Sequence, residues 1–136
     1  NILQKLIFDD IQISIKYKVI YNELSSLFKN DNELKEIFIK NQKKREVFLL
    51  DLFLKLQKNG YIYENISEFV LKTVIDTIWF LENFRFLRYE LKEKNINKVE
   101  DLKHQEILLE RLIPLYGFLT DKGKDFFNTN EILKNI

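Results

Sequence analysis

The sequence predicts an all-α protein, a single domain built as a helical bundle of about five to six helices. Three observations lead there. Apolar residues recur at helical spacing along nearly the whole chain. Only three Gly and one Pro punctuate 136 residues, few for the turns of a β-rich fold. Alanine is absent, so core positions fall to Leu, Ile and Phe, which hold helix axes apart.

The elements follow in order. A first helix is expected from about Ile2 to Tyr17, with Leu3, Leu6, Ile7, Ile11 and Ile15 as its apolar stripe. A second segment, about Val19 to Phe28, places Ile20, Leu24, Leu27 and Phe28 on one side and would continue the first after a bend. The third is the best defined. Asn30 or Asp31 caps it, and Glu33 sits in its first turn, where the helix dipole favours a carboxylate. Leu34, Ile37, Phe38, Phe48, Leu49, Leu52, Phe53 and Leu56 form its expected buried stripe. Lys58-Asn59-Gly60-Tyr61 fits a left-handed C-terminal cap, with Tyr61 folding back on Leu56. The fourth helix is expected from Asn65, with Glu68 at capping-box spacing, to about Lys94. The fifth runs from Asn97 to Leu119, bent by Pro114 near Glu110. Thr120 then caps a short last helix, Asp121 to Phe127, and residues 128–136 are expected to fray.

The fourth helix is unusual. Within WFLENFRFLRYEL, residues 79–91, five of thirteen residues are aromatic. On a wheel of about 100° per residue, Lys72, Asp76, Asn83 and Glu90 share one narrow line, the expected solvent face. Phe80, Phe84, Leu87 and Leu91 lie to one side of it; Trp79 and Phe86 lie at its other edge. The first half of the helix is apolar over most of its circumference, as in helices buried on several sides. The fifth helix shares the feature, since Leu108, Leu115 and Leu119 widen a core stripe of Leu102, Leu109, Leu112, Ile113 and Tyr116. Such faces fit a central helix surrounded by its own domain, a subunit interface or a ligand cavity. Two consecutive long helices of this kind can pair with their twins into a four-helix dimer interface.

Composition narrows the chemistry. Twenty-two basic and 21 acidic residues leave a formal charge of +1, which gives no global field to steer nucleic acid or an anionic membrane. Without Cys there are no disulfides, thiolate metal sites or thiol nucleophiles. His104, the single His, lies off the core stripe, and no metal-ligand set or Gly-rich phosphate loop occurs. A hydrolase triad has no support, so no enzyme and no cofactor is expected. The longest apolar stretch, Phe69 to Leu81, is broken by Lys72 and Asp76, so no membrane partner is expected and a cytoplasmic location is. The chain has no Met and begins at Asn1 inside an apolar-periodic segment, which suggests a piece of a longer protein. One local oddity remains. Asn41, Gln42 and Arg45 interrupt the third helix between Phe38 and Phe48. Either they place polar groups in an aromatic-walled ligand cavity, or they are exposed.

The segment YKVIYNELSSLFKNDNELKEIFIKNQKKREVFLLDLF, residues 17–53, resembles the C-terminal domain of TetR-type transcription regulators. Tyr17, Tyr21, Leu24, Leu27, Glu33, Leu34, Gln42 and Arg45 carry the match. LQKNGYI, residues 56–62, DTIWFLENF, residues 76–84, and GFLTDKGKDFF, residues 117–127, resemble later motifs of that family in the right order. Gly117 stands where the motif has Pro, and Asn32 where the family often has Pro.

The resemblance implies a TetR-type C-terminal domain that binds a small-molecule effector and forms a homodimer through its last two long helices. DNA would be contacted only through an N-terminal helix-turn-helix domain preceding Asn1. On that reading Tyr21, Phe38, Gln42, Arg45, Trp79, Phe80 and Phe84 line the effector pocket. Phe86, Leu108, Leu112 and Leu115 form the dimer interface, while Trp79 could face either ligand or twin subunit. The competing reading is a helical protein-interaction module whose aromatic faces dock a different chain.

Overall fold

In the computed structural model residues 9, 11–92 and 112–129 are described, and they are almost entirely helical. Helical residues 11–16 lead into α1 (Lys18–Asn22) and α2 (Leu24–Asn30), separated by single non-helical residues at Tyr17 and Glu23. Backbone bonds bridge both breaks: Tyr21 N–H donates to the Tyr17 carbonyl and Leu27 N–H to that of Glu23. The three pieces therefore act as one bent rod, as the expected bend implies. Ile11 is fully buried, whereas Ile20, expected inside, is exposed. Leu3, Leu6 and Ile7 lie outside the described residues.

The longest element is α3 (Asn32–Lys58). Asp31 caps it, its carboxylate accepting from Leu34 N–H at 2.9 Å. Gly60 ends it with φ 76°. Tyr61 N–H donates to the Leu56 carbonyl and Gly60 N–H to that of Gln57, both at 2.9 Å. That is a Schellman cap, which satisfies carbonyls the helix leaves open. The Tyr61 ring packs on Phe126 at 5.2 Å. The loop that follows is gripped from α3: the Gln57 amide donates to the carbonyls of Tyr63 (2.9 Å) and Ile66 (2.8 Å).

The expected fourth helix is two. α4 (Glu68–Asn83) starts at an Ser67 cap rather than at Asn65, and α5 (Arg85–Leu91) follows a break at Phe84. The Asn83 side chain donates to the Trp79 carbonyl one turn back at 2.7 Å. A short amide that bonds local backbone competes with the regular ladder, and the helix kinks where it does so. Asn83, expected on the solvent line, is thereby buried.

Residues 93–111, which carry most of the expected fifth helix with Leu102, His104, Leu108, Leu109 and the bend near Glu110, lie outside the described residues. Residues 112–116 are helical, and α6 (Asp121–Thr129) closes the chain. Thr120 caps α6 as expected, its hydroxyl accepting from Gly123 N–H at 3.1 Å. The same hydroxyl donates to the Gly60 carbonyl at 2.7 Å, and Thr120 N–H donates to the Tyr61 carbonyl at 3.0 Å. Lys122 reaches the Asn59 carbonyl at 2.8 Å. An isolated antiparallel bridge, Ile62 to Leu119, completes this junction.

α3 and α4 form an antiparallel hairpin. Phe38 near the start of α3 meets Trp79 late in α4 with centroids 6.0 Å apart. α2 leans on α3 through Phe28 and Phe38 (4.9 Å), and α1 on α5 through Tyr21 and Phe86 (6.3 Å). The core beneath holds Ile11, Phe53, Ile62, Leu71, Ile75, Leu115 and Leu119 with their neighbours.

Candidate seam between α3 and α4

Two stripes face each other across the hairpin. On α3, Leu34, Phe38, Gln42, Arg45, Leu49, Phe53 and Leu56 follow one another at steps of three or four, and all are buried or half-buried. On α4 and α5, Leu71, Ile75, Ile78, Glu82, Arg85 and Tyr89 do the same, and all are buried. Each stripe is apolar at its ends and polar in the middle. The polar middles meet: an Arg45 guanidinium nitrogen lies 2.5 Å from a Glu82 carboxylate oxygen. The Glu82 side chain is 7% exposed and that of Arg45 35%. Gln42 and Arg45 are thus half-buried on this stripe, and only Asn41 of the interrupting residues is exposed. Ile37 and Phe48, expected on the buried stripe of α3, point to solvent instead. The stripe passes through Gln42 and Arg45 rather than through Ile37 and Phe48.

The expected pocket residues divide into three places. Phe38, Gln42, Arg45 and Trp79 gather at this seam. Tyr21 stands on the α1–α5 contact, against Phe86. Phe80 and Phe84 stack on each other at 4.7 Å on the outer surface. There they begin a row, Phe80, Phe84, Leu87 and Leu91, whose members are between 45% and 78% exposed. Trp79 joins the two settings. One side meets Phe38, and it also helps line an outer hollow of about 400 Å³ with Thr73, Asp76, Thr77 and Phe80.

Of the expected interface residues, Phe86, Leu112 and Leu115 are buried inside the chain itself, Leu112 and Leu115 in the main core. Packing against their own domain leaves them almost no exposed surface. Leu108 lies outside the described residues. Ile113, assigned to the core stripe, is exposed.

Sequence reasoning missed Glu82 and Arg85, the latter with no exposed surface at all. The signal was present, because both continue the three-four spacing of Leu71, Ile75 and Ile78. Buried charges at core positions are rare unless they are partnered.

A second depression, an open groove of about 570 Å³, lies by Leu54, Lys58, Ile62, Tyr63 and Thr120. Its polar atoms on Gln57 and Thr120 are engaged in closing the loop. Among the described residues no group of His, Cys, Asp and Glu could hold a metal ion, and no helix is long and apolar enough to cross a membrane.

The family model for TetR, described as a bacterial transcriptional repressor, matches residues 6–127. No curated protein and no solved structure matches the chain. With nearly the whole sequence covered, the chain belongs to the TetR family, and its role lies in transcription regulation.

Proposed function

We propose that these residues form the effector-sensing and dimerisation domain of a TetR-type regulator. A small molecule enters the α3–α4 seam and alters DNA binding by the helix-turn-helix that the family carries N-terminal to this domain. The observation that supports this most is the polar layer of Gln42, Arg45 and Glu82 set among Phe28, Phe38 and Trp79. Apolar walls with few, convergent polar groups are how small-ligand sites are built. A layer made for stability alone would be better filled by apolar side chains, since a buried ion pair seldom outweighs its desolvation. The exposed row of Phe80, Phe84, Leu87 and Leu91 serves as the dimer face. Trp79 touches both, so a ligand that moves it changes the relation of one subunit to its twin.

The test is a small-molecule screen read on the emission of Trp79, the only tryptophan. Compounds that act through the seam shift emission in the wild-type chain and lose roughly tenfold or more in affinity in Phe38→Ala and Gln42→Ala. If no compound shifts emission or melting, the sensing role fails. Light scattering at micromolar concentration should give a dimer. A strict monomer that captures a different chain in stoichiometric amounts would move the exposed row to a protein-interaction module instead.

A further inference from the structure

We propose that the outer hollow beside Trp79 is a binding site for a small organic cation with an apolar body, and that Asp76 is its counter-ion. The hollow lies on the outer face of α4, so this site stands independently of the α3–α4 seam.

The hollow holds about 400 Å³, opens to solvent, and is bordered by Thr73, Asp76, Thr77, Trp79 and Phe80. Small-molecule sites start at about 300 Å³. All five residues come from little more than two turns of α4, so helix geometry fixes their arrangement. Seen from Asp76, Lys72 and Thr73 stand one turn back, and Trp79 and Phe80 one turn on. Positions three and four apart on a helix have Cβ atoms about 5–6 Å from each other, so an indole and a phenyl ring both flank the carboxylate. Trp79 is held by Phe38, centroids 6.0 Å apart, and Phe80 by Phe84 at 4.7 Å, which keeps the two rings in place.

The polar groups select the sign of the ligand. The only charged neighbour of Asp76 at helical spacing is Lys72, and it turns the other way to bond Glu68 at 2.8 Å. That hydrogen bond and the Glu68 charge raise the Lys72 pKa. Asp76 joins no ion pair among the described residues. The Thr73 hydroxyl donates to the Phe69 carbonyl at 3.0 Å and that of Thr77 to the Thr73 carbonyl at 2.8 Å. Their protons are spent on the helix, which leaves lone pairs for the hollow. The bordering side chains thus offer one full negative charge, two accepting hydroxyl oxygens and a single donor, the indole N–H. An anion meets a like charge there. A neutral apolar ligand covers the carboxylate and returns nothing for its lost water. A cation answers both. The rings choose its kind, because aromatic faces, indole most of all, attract cations such as quaternary ammonium. A hard metal ion needs several oxygen ligands at once, and one carboxylate does not supply them.

Three probes of similar size test this: benzyltrimethylammonium, neutral N-benzylacetamide and phenylmethanesulfonate. Each is titrated against the full chain, and the indole N–H resonance of Trp79, the only tryptophan, is followed by NMR. The cation should bind about three- to tenfold more tightly than the amide, as for one cation–ring contact and one solvent-exposed ion pair. The sulfonate should not bind measurably. Asp76→Asn, a change at an exposed position, should bring the cation down to the level of the amide. Glu90→Gln removes an exposed carboxylate of α5 outside the hollow and should leave the preference intact. Gln42→Ala, at the seam, should leave it intact as well. The inference is overturned if the amide binds as well as the cation, if Asp76→Asn keeps the preference, or if Glu90→Gln lowers it as much. Loss of cation binding in Gln42→Ala would place the ligand at the seam and overturn it too, as would silence from all three probes. The compound screen described above decides separately whether the seam binds a small molecule.

Discussion

A methyl group placed on Gly123 would collide with the carbonyl oxygen of Tyr61, because α6 starts directly against the turn that ends α3. Gly60 is constrained differently: its φ of 76° suits no other residue well, while the space around it is open. Gly117 has neither constraint. Alanine substitutions should therefore rank in thermal or urea melts. Gly123→Ala should cost about 1–3 kcal/mol because backbone must move, and Gly60→Ala about 1 kcal/mol. Gly117→Ala should fall within about 0.5 kcal/mol of the parent. Only Gly60 could be read from the sequence, since a left-handed cap has a local pattern. Gly123 owes its constraint to Tyr61, sixty-two positions away, and nothing local announces it. Glu82 and Arg85 are intermediate cases. Their place on the stripe was countable, but a charge on a helix is ordinarily given to water.

Long, capped elements were the legible ones. Asp31 starts α3 and Gly60 ends it as local chemistry demands, and Asp31→Ala should cost about 1 kcal/mol by removing the acceptor for Leu34 N–H. The break at Phe84 was not legible, because it depends on the rotamer by which the Asn83 amide reaches the Trp79 carbonyl. The start of α4 was misplaced by two residues for a related reason. Asn65 and Ser67 both offer a capping oxygen, and the loop closed by Gln57 selects Ser67. Gln57→Ala should leave the helices intact while loosening the loop of residues 61–67. Amide exchange there should rise well before exchange in the middle of α3, since local opening is governed by local bonds.

At the scale of the whole molecule, the over-wide apolar faces were visible in the sequence, but their allocation was not. A wheel shows that a side is apolar; it does not show what covers it. Phe86, Leu112 and Leu115 were taken up by the chain's own core, and Phe80, Phe84, Leu87 and Leu91 were left outside. Charge in that row should separate the subunits of the dimer we propose without unfolding them. Phe84→Asp with Leu87→Asp should give a monomer by light scattering and a far-ultraviolet dichroism spectrum like the parent's. The junction of α3 with the start of α6 has a further consequence. The C-terminal end of α3 is pinned by the Schellman bonds and by Thr120 and Lys122, whereas its N-terminal half rests on ring contacts of Phe28, Phe38 and Trp79 and on the Arg45–Glu82 pair. A rod clamped at one end and cushioned at the other behaves as a lever. A small wedge at Arg45, near its midpoint, is magnified towards Asp31, so α2 and the bent rod before it travel farther than anything the wedge touches.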